Sequence, residues 1–155
     1  MNKNSSYIIF GGSGFIGTNM VEYYSNLGIK VYNIDKFPPL DKLHSKFWIK
    51  GDINIKSDLK KIFQQINPSY VIHLAASTGL DVDSISKFKT NIDGIKCLIH
   101  CCNSIDSIKK VIFTSSLLVA ERTYVPQNDL DFKPDSIYGE SKAIGEKIVR
   151  DSDLK

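Results

Sequence analysis

The chain has 155 residues, 42% of them hydrophobic and 24% charged, enough for one domain with a core and too few for two ordinary domains. Its net charge is +3, from Lys and Arg residues that are scattered along the sequence, which argues against a nucleic-acid arm. No apolar run approaches the ~18 residues of a membrane span, and Met1–Ser6 is polar without a signal-peptide core.

Tyr7–Phe10 (YIIF) is a short apolar run closed by Gly11 and Gly12, the pattern of a buried strand. From Gly14 to Leu27, Phe15, Ile16, Met20, Val21, Tyr24 and Leu27 recur at helical spacing, and Gly28 supplies the C-terminal stop. Lys30–Asp35 (KVYNID) predicts a second strand, after which Pro38 and Pro39 forbid regular pairing. Lys46–Lys50 (KFWIK) predicts a third strand, ended by Gly51. Ser57–Ile66 predicts a helix with Ser57 as its N-cap, stopped by Asn67-Pro68. Tyr70–Ala75 (YVIHLA) predicts a fourth strand.

Ile85, Phe88, Ile92, Ile95, Ile99 and Cys102 follow at spacings of 3, 4, 3, 4 and 3, which predicts one long helix with a continuous apolar stripe. Its cysteines, Cys97, Cys101 and Cys102, are odd in number and confined to this segment. They suit neither a disulfide framework nor a metal site and read as reduced thiols of a cytoplasmic protein. Lys110–Thr114 (KVIFT) predicts a fifth strand, residues 117–136 a loop, and Ile137 to Asp151 a closing helix. Alternating strands and helices imply an α/β fold, a doubly wound parallel sheet in the order 3-2-1-4-5 with helices on both faces.

The turn after the first strand reads Gly11-Gly12-Ser13-Gly14-Phe15-Ile16-Gly17. It satisfies both Gly12-x-Gly14-x-x-Gly17 and Gly11-x-x-Gly14-x-x-Gly17. The early glycines allow a sharp exit from the strand, Gly14 lets backbone approach a pyrophosphate, and Gly17 lets the helix pack on the sheet. The helix N-terminus offers free N–H groups and partial positive charge to phosphates. Asp35 lies 18 residues past Gly17 and 21 past Gly14, near the ~20 at which a carboxylate accepts from the adenosine ribose hydroxyls. A carboxylate there repels a 2′-phosphate, which favours NAD over NADP; the neighbouring Lys36 softens that preference.

In Tyr138-Gly139-Glu140-Ser141-Lys142, Tyr138 and Lys142 are four apart and share a helix face, with Cβ atoms about 5–6 Å apart. An ammonium beside a phenol favours the phenolate, and such a tyrosine serves as general acid or base. With the glycine turn, Asp35 and the Tyr-Lys pair in this order, the sequence resembles the short-chain dehydrogenase/reductase superfamily. The form GGSGFIG points to its extended branch of NAD-dependent nucleotide-sugar epimerases, dehydratases and reductases, built on a Rossmann domain. Gly51-Asp52-Ile53 resembles the turn whose Asp contacts adenine. His73-Leu74-Ala75-Ala76 resembles the strand end lining the cofactor, Asn91 with Gly94 an Asn-x-x-Gly element, and Thr114-Ser115-Ser116 the strand end carrying the catalytic hydroxyl.

The resemblance implies a cofactor site of Gly11, Gly14, Phe15, Ile16, Gly17, Asp35, Asp52, Ile53, Leu74, Ala75, Ala76, Asn91, Tyr138 and Lys142. It implies Ser116, Tyr138 and Lys142 as catalytic residues, with Ser115 the runner-up to Ser116, and no metal. Tyr138 would take the proton of a sugar hydroxyl as hydride leaves for the nicotinamide. Leu117 and Leu118 stand where the family's dehydratases carry an Asp-Glu pair, and leucine transfers no proton. Dehydration is thereby disfavoured, and epimerase or reductase remains. Epimerase leads because a retained NAD, which Asp35 favours, suits an epimerase, whereas a net reductase more often uses NADPH. Val119-Ala120-Glu121 replaces the family's Val-Tyr-Gly, which leaves the particular nucleotide-sugar open.

Extended members of the family are about twice this long, with a C-terminal substrate domain absent here, so the sequence reads as the N-terminal part of such an enzyme. The alternative is a non-catalytic dinucleotide-binding module or an inactive fragment, although such a module has no need of Ser116, Tyr138 and Lys142 together. The resemblance further implies a homodimer through the 85–102 and 137–151 helices. His44, His100 and Trp48 have no partners in the pattern and read as structural or surface residues.

Overall fold

The computed structural model describes residues 5–79 and 82–154. Five strands, β1 (Ser6–Phe10), β2 (Lys30–Asp35), β3 (Trp48–Lys50), β4 (Tyr70–His73) and β5 (Lys110–Phe113), form one parallel sheet in the order β3-β2-β1-β4-β5. The predicted doubly wound order is therefore the observed one. Four helices accompany them: α1 (Phe15–Asn26), α2 (Lys56–Ile66), α3 (Ile95–Cys102) and α4 (Ile137–Arg150). No described helix is long and apolar enough to cross a membrane.

Side chains alternate across each strand, so the apolar runs feed two cores. Ile8, Phe10, Ile34 and Val71 face one side with Leu59, Ile62 and Phe63 of α2 and Leu98 and Cys101 of α3. Tyr7, Ile9, Val31 and Ile72 face the other side with Val21 of α1. There Tyr7 stacks between Tyr24 and Tyr70 at centroid distances of 4.8 and 4.6 Å.

Three sequence expectations are corrected. Lys46 and Phe47 are not in β3 but end a 3₁₀ segment, Lys42–Phe47, whose N-cap Asp41 accepts from Leu43 N at 2.8 Å. That cap, and Phe47 packed against the Tyr7 core, override the strand propensity of the run. Ser57 does not cap α2. The N-cap is Ile55, with no side-chain bond, because an Asp52 turn directs the chain: Ile55 N donates to Asp52 O (2.9 Å) and Asn54 N to Asp52 Oδ1 (2.9 Å).

The long helix over 85–102 is broken into a 3₁₀ turn (Ile85–Phe88), a wide π turn (Thr90–Gly94) and α3. The π turn lies where Asn91 is drawn toward α4 and where a Cβ on Gly94 would come within 2.9 Å of Ile53 Cγ2. Its apolar stripe is turned inward: Phe88, Ile95, Ile99 and Cys102 are buried in the chain itself. The loop at 117–136 is pinned rather than free. Ala120 bridges Lys133, Glu121 pairs with Lys133, and Tyr124 Oη donates to Asp131 Oδ1 at 2.7 Å.

Candidate cofactor and catalytic site

A cleft of about 540 Å³ runs along the C-terminal ends of β1, β2 and β4. In a doubly wound sheet this crevice, where the strand order reverses, is the place for a ligand. Its walls include Gly11, Gly14, Asp35, Asp52, Ile53, Leu74, Ala75 and Ala76, eight residues named from the sequence.

The glycine turn is shaped by contacts that a side chain would prevent. Gly11 has φ of +82°, and a Cβ there would stand 2.6 Å from Ala75 N. A Cβ on Gly17 would overlap the Gly11 carbonyl oxygen and stand 2.5 Å from Gly12 Cα. The result is that α1 begins directly at the cleft. Gly14 is its N-cap with no side-chain bond, and there is no acidic residue in the first turn. The N–H groups of Phe15, Ile16 and Gly17 precede the first intrahelical bond, Thr18 N to Gly14 O at 2.8 Å. They remain as donors for an anion.

Asp35 ends β2 at the rim of the cleft. Its Oδ2 accepts from Ser13 N (3.2 Å) and its Oδ1 from Phe37 N (3.0 Å). Two N–H donors orient the carboxylate and leave lone pairs for further donors such as a ribose diol. Asp52 Oδ1 is held by the Asn54 backbone and side-chain amides, both at 2.9 Å. An open helix N-terminus, a close glycine approach and an oriented carboxylate in one cleft fit an adenine dinucleotide.

Several predicted residues lie outside the cleft walls. Phe15 and Ile16 turn outward, 88% and 60% exposed, so only their backbone addresses the cleft. Asn91 is buried with both amide protons engaged: Nδ2 donates to Ser77 O (3.0 Å) and Ser141 Oγ (2.9 Å), and Oδ1 accepts from Ser77 N (2.8 Å). It ties the segment after β4 to α4, and in this arrangement its side chain has no proton left to donate to a cofactor.

The catalytic candidates gather at the ends of β5 and α4. Ser136 caps α4 through Gly139 N (3.1 Å), and a Cβ on Gly139 would overlap the Leu118 carbonyl, so α4 starts hard against the turn after Ser116. Ser116 Oγ accepts from Leu118 N (3.2 Å), which leaves its proton free to donate. Ser115 Oγ instead donates to Glu146 Oε2 at 2.6 Å. Tyr138 is half-buried, its ring 6.0 Å from that of Phe88. Lys142 is 6% exposed and Nζ donates to Thr114 O at 2.7 Å. Burial lowers the Lys142 pKa from the usual lysine value, partly offset by Glu146. Among the described residues, no side-chain hydrogen bond joins Ser116, Tyr138 and Lys142 to one another.

Sequence reasoning passed over Ser13, Phe37, Pro38, Leu40, Ser77 and Thr90, all in the cleft wall. Ser13 could have been found between the named glycines. Pro38, whose ring bars strand pairing after β2, also walls the cleft.

Sheet order and cleft together define a dinucleotide-binding domain of the Rossmann type. A model of the NAD dependent epimerase/dehydratase family matches residues 7–154, and the chain belongs to that family. It is 30% identical to UDP-glucuronate 4-epimerase 3 of Arabidopsis thaliana over 95% of the chain and 38% of that protein. It is 29% identical to the decarboxylating sterol-4-alpha-carboxylate 3-dehydrogenase of Mus musculus, over 98% of the chain and 42% of that protein. Among solved structures it is similar to UDP-glucose 4-epimerase from Brucella ovis in complex with NAD. That likeness has a TM-score of 0.81 and 25% identity over 95% of the chain and 47% of the other. The chain thus spans less than half the length of these relatives.

Proposed function

We propose that this chain binds NAD in the cleft and supplies the acid–base residues for 4-epimerisation of a nucleotide-linked sugar, in a protein of its relatives' length. The observation that carries this reading is the convergence of α1's unsatisfied N-terminus and the oriented Asp35 carboxylate in one cleft. The N–H groups of residues 15–17 would hold the pyrophosphate and Asp35 the adenosine ribose. Asp52 and Ile53 would flank the adenine, and Leu74, Ala75 and Ala76 would line the path toward the nicotinamide.

NAD, held by these residues, would supply the hydride acceptor and donor that such an epimerisation needs. The residues handle protons and position. Tyr138 takes the proton of the sugar hydroxyl and gives it back to the carbonyl oxygen in the return step. Lys142, buried and without a carboxylate in salt-bridge contact among the described residues, would hold the nicotinamide ribose. Ser116, with its proton free, donates to the reacting oxygen; Ser115 is already committed to Glu146. Leu117 and Leu118 offer no group for elimination, which supports epimerisation over dehydration. The favoured setting is a cytoplasmic one. Pairing of two copies through the 85–102 and 137–151 helices would use their outer, charged residues such as Lys87, Lys96, Glu140 and Lys147, since the apolar stripe is internal.

The test is a Tyr138→Phe substitution in a full-length protein carrying this segment, assayed with UDP-sugars for the 4-epimer. Turnover should fall by about 10²–10⁴-fold or more, with NAD affinity nearly unchanged. Normal turnover would remove the Tyr138 assignment.

A further inference from the structure

Asn33, in the middle of β2, is fully buried in a strand whose other inward residues, Val31 and Ile34, are apolar. A strand interior has no use for an amide there: the backbone ladder already pairs Asn33 with Ile9 and Trp48. One of its two polar atoms is unserved, because Oδ1 has no hydrogen-bond partner among the described residues. It packs against Gly12, where a Cβ would overlap the Asn33 amide. The other atom has a specific target. Nδ2 donates to Ser13 Oγ at 3.0 Å.

Ser13 is the hub of the cleft's ribose end. Its hydroxyl accepts from Asn33 and donates its one proton onward to Phe37 O at 2.8 Å. Its backbone N–H donates to Asp35 Oδ2, while Phe37 N donates to Asp35 Oδ1. Asn33 thus fixes Ser13, and Ser13 fixes both the loop after β2 and the carboxylate between them. Asn33 itself does not line the cleft.

We infer that Asn33 is a positioning residue for the cofactor site: it orients Ser13 and, through it, Asp35 and Phe37, and it serves ligand binding at the expense of fold stability. This rests on the NAD-binding reading above. A buried amide with an unserved oxygen is a net burden on a fold, and an apolar residue of the same shape relieves it. The inference therefore predicts opposite signs for stability and binding, which a purely structural asparagine would not give.

The experiment compares the chain with Asn33→Leu, Ser13→Ala and the double variant, by NAD titration calorimetry and by thermal unfolding without ligand. Asn33→Leu should unfold at the same or a higher temperature yet bind NAD roughly three- to tenfold more weakly, the worth of one neutral hydrogen bond. Ser13→Ala should weaken NAD binding similarly, and the double variant should be no worse than the weaker single one, since both cut one relay. Unchanged NAD affinity in Asn33→Leu overturns the inference, as does a loss of unliganded stability or additive loss in the double variant. If the unsubstituted chain fails to bind NAD, the cofactor reading itself falls, an outcome distinct from these.

Discussion

Gly17→Ala places a methyl group where α1 rests on the glycine turn. The new Cβ would overlap Gly11 O and lie 2.5 Å from Gly12 Cα. Ordinary carbon contacts are about 3.5–4.0 Å, and both neighbours are backbone that cannot swing aside, so α1 must withdraw by roughly 1 Å. Over-packing of this kind costs about 1–3 kcal/mol, offset by about 1 kcal/mol of helix propensity gained by alanine. A net loss near 1 kcal/mol lowers the Tm of a domain this size by about 2–4 °C. Binding should suffer more. A withdrawal of roughly 1 Å stretches phosphate hydrogen bonds beyond their useful range, and each charge-assisted bond is worth about 1.5–3 kcal/mol. NAD affinity should fall at least about tenfold, by titration calorimetry beside a thermal melt. Wild-type affinity in a folded Gly17→Ala chain would refute the claim that α1's N-terminus holds the phosphates.

Burial, and then Lys142 nearby, lowers the His73 pKa from 6.5 to about 3. The folded chain thus refuses a proton that the unfolded chain accepts. His73's contribution is complete above pH 6.5 and is lost as pH falls toward 3, with a slope of up to about 1.4 kcal/mol per pH unit. His73→Leu should flatten urea-derived stability across that window, and an unchanged slope would contradict it. Asn91→Ala leaves the Ser77 main chain and the Ser141 hydroxyl each short of a partner. It should cost about 2–4 kcal/mol, read as a lower denaturation midpoint at constant m-value; a loss below about 1 kcal/mol would mean that the tie is dispensable.

What the sequence made legible was local or periodic. YIIF is wholly apolar, and KVYNID keeps Val31 and Ile34 for the two cores, because parallel strands are covered on both faces; right-handed crossovers then order the sheet. The glycine turn and Asp35 were legible because their spacing follows from one strand–helix–strand unit. The misses depend on tertiary contacts. Nothing in the stripe from Ile85 to Cys102 announces the wide turn at Thr90–Gly94, which follows from Gly94 against Ile53 and Asn91 reaching Ser141. Ser57 lost the N-cap role to a turn built by Asp52. The spacing of Tyr138 and Lys142 placed both on one helix face, but only the fold reveals that Lys142 Nζ reaches the Thr114 carbonyl. Asn33 had no motif at all; its meaning lies in its contact with Ser13 across the sheet edge of the cleft.

The central claim is that the cleft is built for a dinucleotide with a free ribose diol. Titration of this chain with NAD and with NADP, alongside Asp35→Asn, tests it most directly. A carboxylate about 4 Å from a 2′-phosphate repels each unit of charge by about 4 kcal/mol at an effective dielectric of 20, partly relieved by Lys36. NAD should therefore bind at least about tenfold more tightly than NADP, and Asp35→Asn should narrow the gap by weakening NAD. Equal affinities, or a preference for NADP, would contradict the account.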